Sequence, residues 1–201
     1  IADDVVSIDR AMRWGFGWEK GPFELWDAVG VEKTVERMRA EGMTIPSIVD
    51  DVLKTPSKSF YQRDDQARVS QFQRGAFKEV EPPPATIDLA RLKAQGRVVK
   101  KNAGASLVDL GDGALCLEFH SKMNAIGADI ISMVMAGVKE TEANFEALVV
   151  GNQGANFSVG ANIMLLLLEA REGNWDEIDL AVRQFQKATM ALKYCRKPVV
   201  A

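Results

Sequence analysis

Apolar residues recur along this 201-residue chain at two different intervals, and the change of interval divides it. Over residues 1–62 the spacing is helical. Asp9–Trp14 reads as a helix that stops at Gly15, followed by a loop carrying Phe16 and Trp18. Gly21-Pro22 opens a second helix with proline at its first position; Phe23, Leu25, Trp26, Val29 and Val31 are its apolar residues. A third runs from Glu32 to Arg39 with Val35 and Met38 inward, stopped by Gly42. Pro46 starts a short fourth, with Ile48, Val49, Val52 and Leu53 apolar, ended before Pro56. Residues 63–104 are largely polar and read as an interdomain linker with local structure. It contains a stiff Glu81-Pro82-Pro83-Pro84 connector and an amphipathic helix over Ile87–Lys93.

From Ala105 the pattern becomes α/β. Ser106–Leu110 and Ala114–Phe119 are strand-length apolar runs around a Gly111-Asp112-Gly113 hairpin turn. Gly127–Asn144 is helical, with Ile130, Ile131, Val134, Met135 and Val138 on one stripe. Ala147–Val150 is a third strand and Trp175–Tyr194 a long amphipathic helix carrying Ile178, Val182, Phe185, Ala188 and Leu192. Val199 onward reads as a fourth strand. Strands alternating with helices imply a largely parallel sheet. The expected architecture is a multidomain α+β chain: a helical domain at 1–62, the linker at 63–104 and an α/β (ββα) domain at 105–201.

Composition narrows the possible functions. Apolar residues make up 47% of the chain, enough for a core. The net charge of −3, with both signs mixed throughout, leaves no footprint for nucleic acid. The longest purely apolar run, Ile163–Leu168, is far short of the roughly 20 residues a membrane span needs, and no signal peptide is legible. Cys116 and Cys195 share no repeated spacing and read as free thiols, which places the protein in the cytoplasm. The single histidine, His120, cannot build a metal cluster, and no Ser-His-Asp arrangement is legible. No metal site is expected. The start without methionine and the apolar end at Lys197–Ala201 are expected of an excised segment with an open sheet edge, which predicts self-association.

The strongest candidate chemistry lies in Asn156-Phe157-Ser158-Val159-Gly160-Ala161-Asn162, between a buried strand and an apolar helix. Gly160 permits a sharp turn or close approach. Ala161 has almost no side chain to cover its N–H, and the following helix adds its positive end. Such a backbone can stabilise an oxyanion without side-chain chemistry; an ordinary βα loop is the plain alternative. Gly151-Asn152-Gln153-Gly154 lacks the Gly-Lys-Ser/Thr of a phosphate-binding loop.

The residues at 105–201 resemble the N-terminal half of an enoyl-CoA hydratase (crotonase) domain. Leu115–Phe119 through Met123-Asn124-Ala125-Ile126 is similar to that family's first strands and its "MNAI/LNAL" segment. Asn156–Asn162 is similar to its "xFSAGADL" loop, and Lys197–Ala201 to its "KPVIAA" strand. The resemblance implies that the Ala161 amide is one of two donors to a thioester oxygen, and that Val159, Gly160, Asn124 and Ala125 contact CoA. Asn162 departs from the family's Asp. The second donor and the hydratase carboxylates would follow Ala201, so the chain alone is expected to be inactive.

The opening Asp9-Arg10-Ala11-Met12-Arg13-Trp14-Gly15-Phe16-Gly17-Trp18 and Gly21-Pro22-Phe23-Glu24-Leu25-Trp26-Asp27 resemble the helical C-terminal domain of 3-hydroxyacyl-CoA dehydrogenases. Together the resemblances imply a fatty-acid β-oxidation protein, both oxidoreductase and lyase, acting on acyl-CoA. NAD would belong to an upstream domain, because no Gly-x-Gly-x-x-Gly opens a βα unit here; no cofactor is expected on this chain. The alternative is a non-catalytic CoA-binding or assembly module.

Other residues have plain readings. His120 sits at a strand end. Lys93, Arg97, Lys100 and Lys101 form a solvated face, with a CoA-phosphate contact as the sharper option. Trp14, Phe16, Trp18, Phe23 and Trp26 read as packing for the helical domain, and Met133, Met135 and Met164 as core.

Overall fold

A computed structural model describes residues 2–82 and 86–201, with Leu165 described by its backbone alone. Two compact units divide the chain, Ile1–Thr86 and Ile87–Ala201. Pro83 and Pro84 of the expected connector lie outside the described residues.

The first unit packs helices α1 (Val5–Phe16), α2 (Pro22–Val29), α3 (Val31–Ala40) and α4 (Ser47–Leu53) with an antiparallel sheet of β1 (Tyr61–Arg63), β2 (Val69–Gln73) and β3 (Ala76–Glu79). Asp4 caps α1 by accepting from Ser7 N–H, and Gly17, at φ 70°, ends it. The stop therefore falls two residues beyond Gly15. Pro22 is the first residue of α2, as its fixed φ favours. Val5, Val31, Val35, Val49, Val52, Phe60 and Phe72 form the core. Leu25 and Val29 of α2 point outward instead.

The sheet occupies part of the expected linker. Its strands are short and polar, and Gln71 is buried beside Phe72. Arg74 and Gly75 both take positive φ at the tight β2–β3 turn, which pairs Phe72 with Phe77. Those two rings meet edge to face, anchoring the hairpin to the helical core.

The second unit begins with α5 (Leu89–Ala94) and β4 (Val98–Lys101), so the rest of the expected linker is integral to it. Then follow β5 (Ala105–Gly111), β6 (Ala114–Phe119), α6 (Ala128–Asn144), β7 (Ala147–Gly151), α7 (Ile163–Glu172), α8 (Trp175–Lys193) and β8 (Val199–Val200). Sheet order is β4-β5-β6-β7-β8. The β4-β5 and β5-β6 pairs are antiparallel, while β6-β7 and β7-β8 are parallel. The sheet is thus mixed rather than largely parallel, because the Asp112-Gly113 turn closes a hairpin between β5 and β6.

Alternation gives the sheet two covered faces. Leu107, Leu115, Leu117 and Phe119 meet Ile130, Met133 and Val134 of α6 in the main core. Val108 and Cys116, on the opposite face, meet Leu89 and Leu92 of α5. A Cβ on Gly137 would stand 3.1 Å from Leu107, so this glycine lets α6 lie close to the sheet. Met164 on α7 is exposed and is not core.

Candidate functional site

The loop between β7 and α7 is held by side-chain amides and hydroxyls rather than by apolar packing. Asn152 Oδ1 accepts from Gly154 N–H at 2.8 Å, and its Nδ2 donates to Phe157 O at 2.8 Å. Asn156 Nδ2 donates to Met123 O at 2.9 Å, and Asn124 Nδ2 returns to Asn156 O at 2.8 Å. Ser158 Oγ donates to Asn124 O at 2.7 Å and accepts from Gly160 N–H at 2.9 Å. Asn and Ser are suited to this work because their short polar side chains reach nearby main chain.

A single parallel bridge completes the brace. Ile126 N–H donates to Gly160 O at 2.8 Å, and Asn162 N–H donates to Ile126 O at 3.1 Å. In a parallel bridge the residue between these partners, Ala161, keeps its own N–H and C=O outside the ladder. The Ala161 amide donates to no described group, and the residue is exposed. Gly160 sits at φ 86° with open space where a Cβ would stand. Its role is backbone conformation, which L residues adopt at a cost. Asn162 caps α7, its Oδ1 accepting from Met164 N–H at 3.2 Å. Asn and Asp cap about equally well, so the departure from Asp preserves the helix start.

The bracing segment 123–126 carries strain. Met123 and Asn124 have φ 56° and 54°, unusual for non-glycine residues and tolerated best by Asn. Asn124 is buried, with its side chain on Asn156 O. The Ala125 N–H goes to Lys122 O, and its C=O accepts from Ser121 Oγ. Asn124 and Ala125 are therefore joined to Val159–Ala161 through the brace. Val159 is exposed, and its N–H, like that of Ala161, has no described acceptor.

Beside the loop lies an apolar cavity of about 460 Å³ between α6, α8 and the strand ends. Ile126 and Phe157 reach its wall, together with Phe119, Ile130 and Val150; Val159, Gly160 and Ala161 do not. Lys193 and Lys197 stand on the wall as well.

The remaining candidates divide. His120 is at a strand end, and its Nε2 lies 2.8 Å from Ser106 Oγ. That contact ties β5 to the residue immediately after β6. Ser106 is buried in the β5-β6 hairpin, so the pair ties the sheet. Lys93 is not simply a solvated charge: its Nζ meets both oxygens of buried Glu118 at 2.8 and 2.9 Å. Arg97 pairs with Asp109 at 2.9 Å and holds that carboxyl below its ordinary range. Burial first, then the Glu118 charge, pushes the Cys116 thiol up to about 11. Three of the five aromatic residues expected as packing are exposed, namely Trp14, Phe16 and Trp18; Phe23 and Trp26 pack on Phe60. In sequence, Asn156 lies in the candidate stretch but has no role of its own there, and Asn152 and Gln153 are weighed only against a phosphate-binding loop. The clustering of Asn, Gln and Ser between Gly151 and Asn162 was the available signal.

With this geometry in view, similarities to known proteins gain meaning. The chain is 47% identical, over all 201 residues, to a Bacillus subtilis (strain 168) protein named "Probable 3-hydroxyacyl-CoA dehydrogenase" and covers 25% of it. It is 22% identical over 194 residues to a Rickettsia felis protein named "Putative fatty acid oxidation complex trifunctional enzyme", covering 96% of this chain and 24% of that protein. No protein-family model matches. A solved enoyl-CoA hydratase from Polaromonas sp. JS666 aligns with 47% of this chain and 38% of its own, at 21% identity and a TM-score of 0.43. The relatives named here are fatty-acid-oxidation and acyl-CoA enzymes, and the chain spans about a quarter of the length of the curated relatives it matches.

Proposed function

We propose that this chain is part of a fatty-acid-oxidation enzyme, and that its second unit presents the Ala161 amide to the thioester carbonyl of an acyl-CoA. The observation that supports the reading is the unpaired Ala161 N–H, flanked by Gly160 O and Asn162 N–H that are both fixed to Ile126. A hydrogen bond from a preorganised amide strengthens as an enoyl thioester gains enolate character, which lowers the barrier to adding water. The start of α7 adds a favourable partial charge. CoA would run past Val159, with Asn124 and Ala125 bracing the contact.

One donor is a modest catalyst. No Asp or Glu among the described residues hydrogen-bonds the 152–162 loop, so the chain by itself is expected to bind without hydrating. A crotonyl-CoA hydration assay checks this, and robust turnover contradicts it. The first unit is assigned to the helical part of a 3-hydroxyacyl-CoA dehydrogenase. Its partner reaction would need NAD, and the residues present do not fit it: no Gly-x-Gly-x-x-Gly occurs in the sequence. Two free thiols suit a reducing, cytoplasmic setting.

Calorimetric titration with acetyl-CoA tests the site. Ala161→Pro removes the donor, and also fixes φ at 161 and restricts Gly160; the reading requires binding to weaken at least about tenfold, and unchanged binding overturns it. The second reading, an assembly module, is favoured by α7, which exposes Ile163, Met164, Leu167 and Leu168. Its expected occupant is a second copy of the chain. Light scattering at rising concentration should show association, and a monomer throughout contradicts it.

A further inference from the structure

The 152–162 loop is braced on one side by residues 123–126, and on the other it is bolted to the helix that opens the second unit. Gln153 Oε1 accepts from Leu89 N–H at 2.9 Å, and its Nε2 donates to Ile87 O at 2.6 Å. Leu89 is the first residue of α5, so its N–H is one of the amides that a helix start leaves without an internal partner. Asp88 Oδ1 takes the Arg91 N–H at 3.1 Å. The start of α5 is thus capped jointly by its own Asp88 and by a residue from the loop.

The anchor is firm. Leu89 and Leu92 pack on Val108 and Cys116. Lys93 holds the two oxygens of buried Glu118, and Arg97 holds Asp109. Gln153 is itself exposed and sits eight residues before Ala161. Its side-chain oxygen and one N–H are both engaged in this bracket, across 64 and 66 residues of sequence.

We infer that Gln153 is a positioning residue: it transmits the rigidity of α5 to the loop and thereby fixes the direction of the Ala161 amide. The inference rests on the reading of Ala161 as an acyl-CoA donor. The test uses the 201-residue chain with Gln153→Met, which keeps length and loses both hydrogen bonds. Hydrogen exchange across 152–162 should accelerate about tenfold, the effect of losing two net hydrogen bonds. Affinity for crotonyl-CoA, by calorimetry, should fall about five- to tenfold. Gln153→Glu keeps the acceptor toward Leu89 and should recover part of both. The urea midpoint should fall modestly, as the loss of the same two hydrogen bonds requires, while exchange outside 152–162 and α5 changes far less than exchange within them. Unchanged loop exchange in Gln153→Met overturns the inference. So does uniformly faster exchange throughout the unit, which marks a merely structural role. If the unmodified chain binds no crotonyl-CoA yet Gln153→Met still frees the loop, the acyl-CoA reading fails while the positioning of the loop stands.

Discussion

Each unit contains a place where polar side chains hold main-chain amides, and the two places end differently. In the first, buried Asp9 accepts from Phe23 N–H at 2.8 Å, Glu24 N–H at 3.1 Å and Tyr61 O–H at 2.6 Å. Asp27 accepts from Phe60 and Tyr61 N–H at 2.8 and 2.9 Å. Gly21 donates to Glu24 and must lack a side chain, since a Cβ there would stand 2.2 Å from Asp9 Cβ. Every amide in that cluster has a partner. In the second, side-chain bonds and one bridge fix the loop yet leave the Val159 and Ala161 N–H groups without a described acceptor. The first network is closed among its own groups; the second stiffens the backbone and leaves donors open, which is what the proposed acyl-CoA contact requires.

The largest expected effect separates the two. Asp9→Ala strips three donors of a buried acceptor and should cost about 3 kcal/mol or more, read by urea denaturation of the chain with tryptophan fluorescence; crotonyl-CoA affinity should stay within about twofold. A similar loss of affinity at both sites erases the distinction.

Gly160→Ala is the converse. At φ 86° a Cβ should cost about 1–2 kcal/mol of strain, with most of the damage in acyl-CoA affinity. Ser158→Ala, which breaks the link from Asn124 O to Gly160 N–H, should cost about 1 kcal/mol. Faster exchange confined to 152–162 is the confirming pattern.

Alkaline pH reaches the closed cluster through Tyr61, alongside the raised Cys116 thiol of the second unit. Burial, then the hydrogen bond and charge of Asp9, raises the Tyr61 phenol well above its ordinary 10.0. The folded value is the higher one, so this contribution is complete below about pH 10 and is lost as pH rises beyond it. Tyr61→Phe should flatten the alkaline limb of a stability–pH curve. An unchanged limb contradicts the assignment. For Asp9 itself, burial outweighs its hydrogen bonds and its carboxyl is raised.

The smallest effect is at Asn162→Asp, where capping chemistry is nearly equivalent and stability should change by less than about 0.5 kcal/mol in a melting experiment.

The loop was legible as a strand-to-helix junction with small residues at Gly160 and Ala161, a pattern that an ordinary βα loop shares; the resemblance of Asn156–Asn162 to the crotonase loop singled it out. Pro22 marked its helix start. What was illegible lay in residues 63–104. β1, β2 and β3 are short and rich in Gln, Ser, Lys and Arg, so hydrophobic alternation is weak, although Phe72 and Phe77 flanking Gly75 carried a hairpin signal. α5 itself was legible as the amphipathic helix expected over Ile87–Lys93, but its anchoring by partners distant in sequence, Gln153 and Glu118, is something local spacing cannot reveal. The helix end at Gly17 rather than Gly15 shows two glycines competing, with the left-handed one deciding.

The most direct test is an amide-resolved NMR titration of the chain with crotonyl-CoA. The account predicts that the Ala161 N–H resonance moves downfield and becomes protected from exchange, while Gly160 and Asn162, already engaged with Ser158 and Ile126, shift little. An Ala161 resonance that stays fixed while crotonyl-CoA binds elsewhere contradicts it.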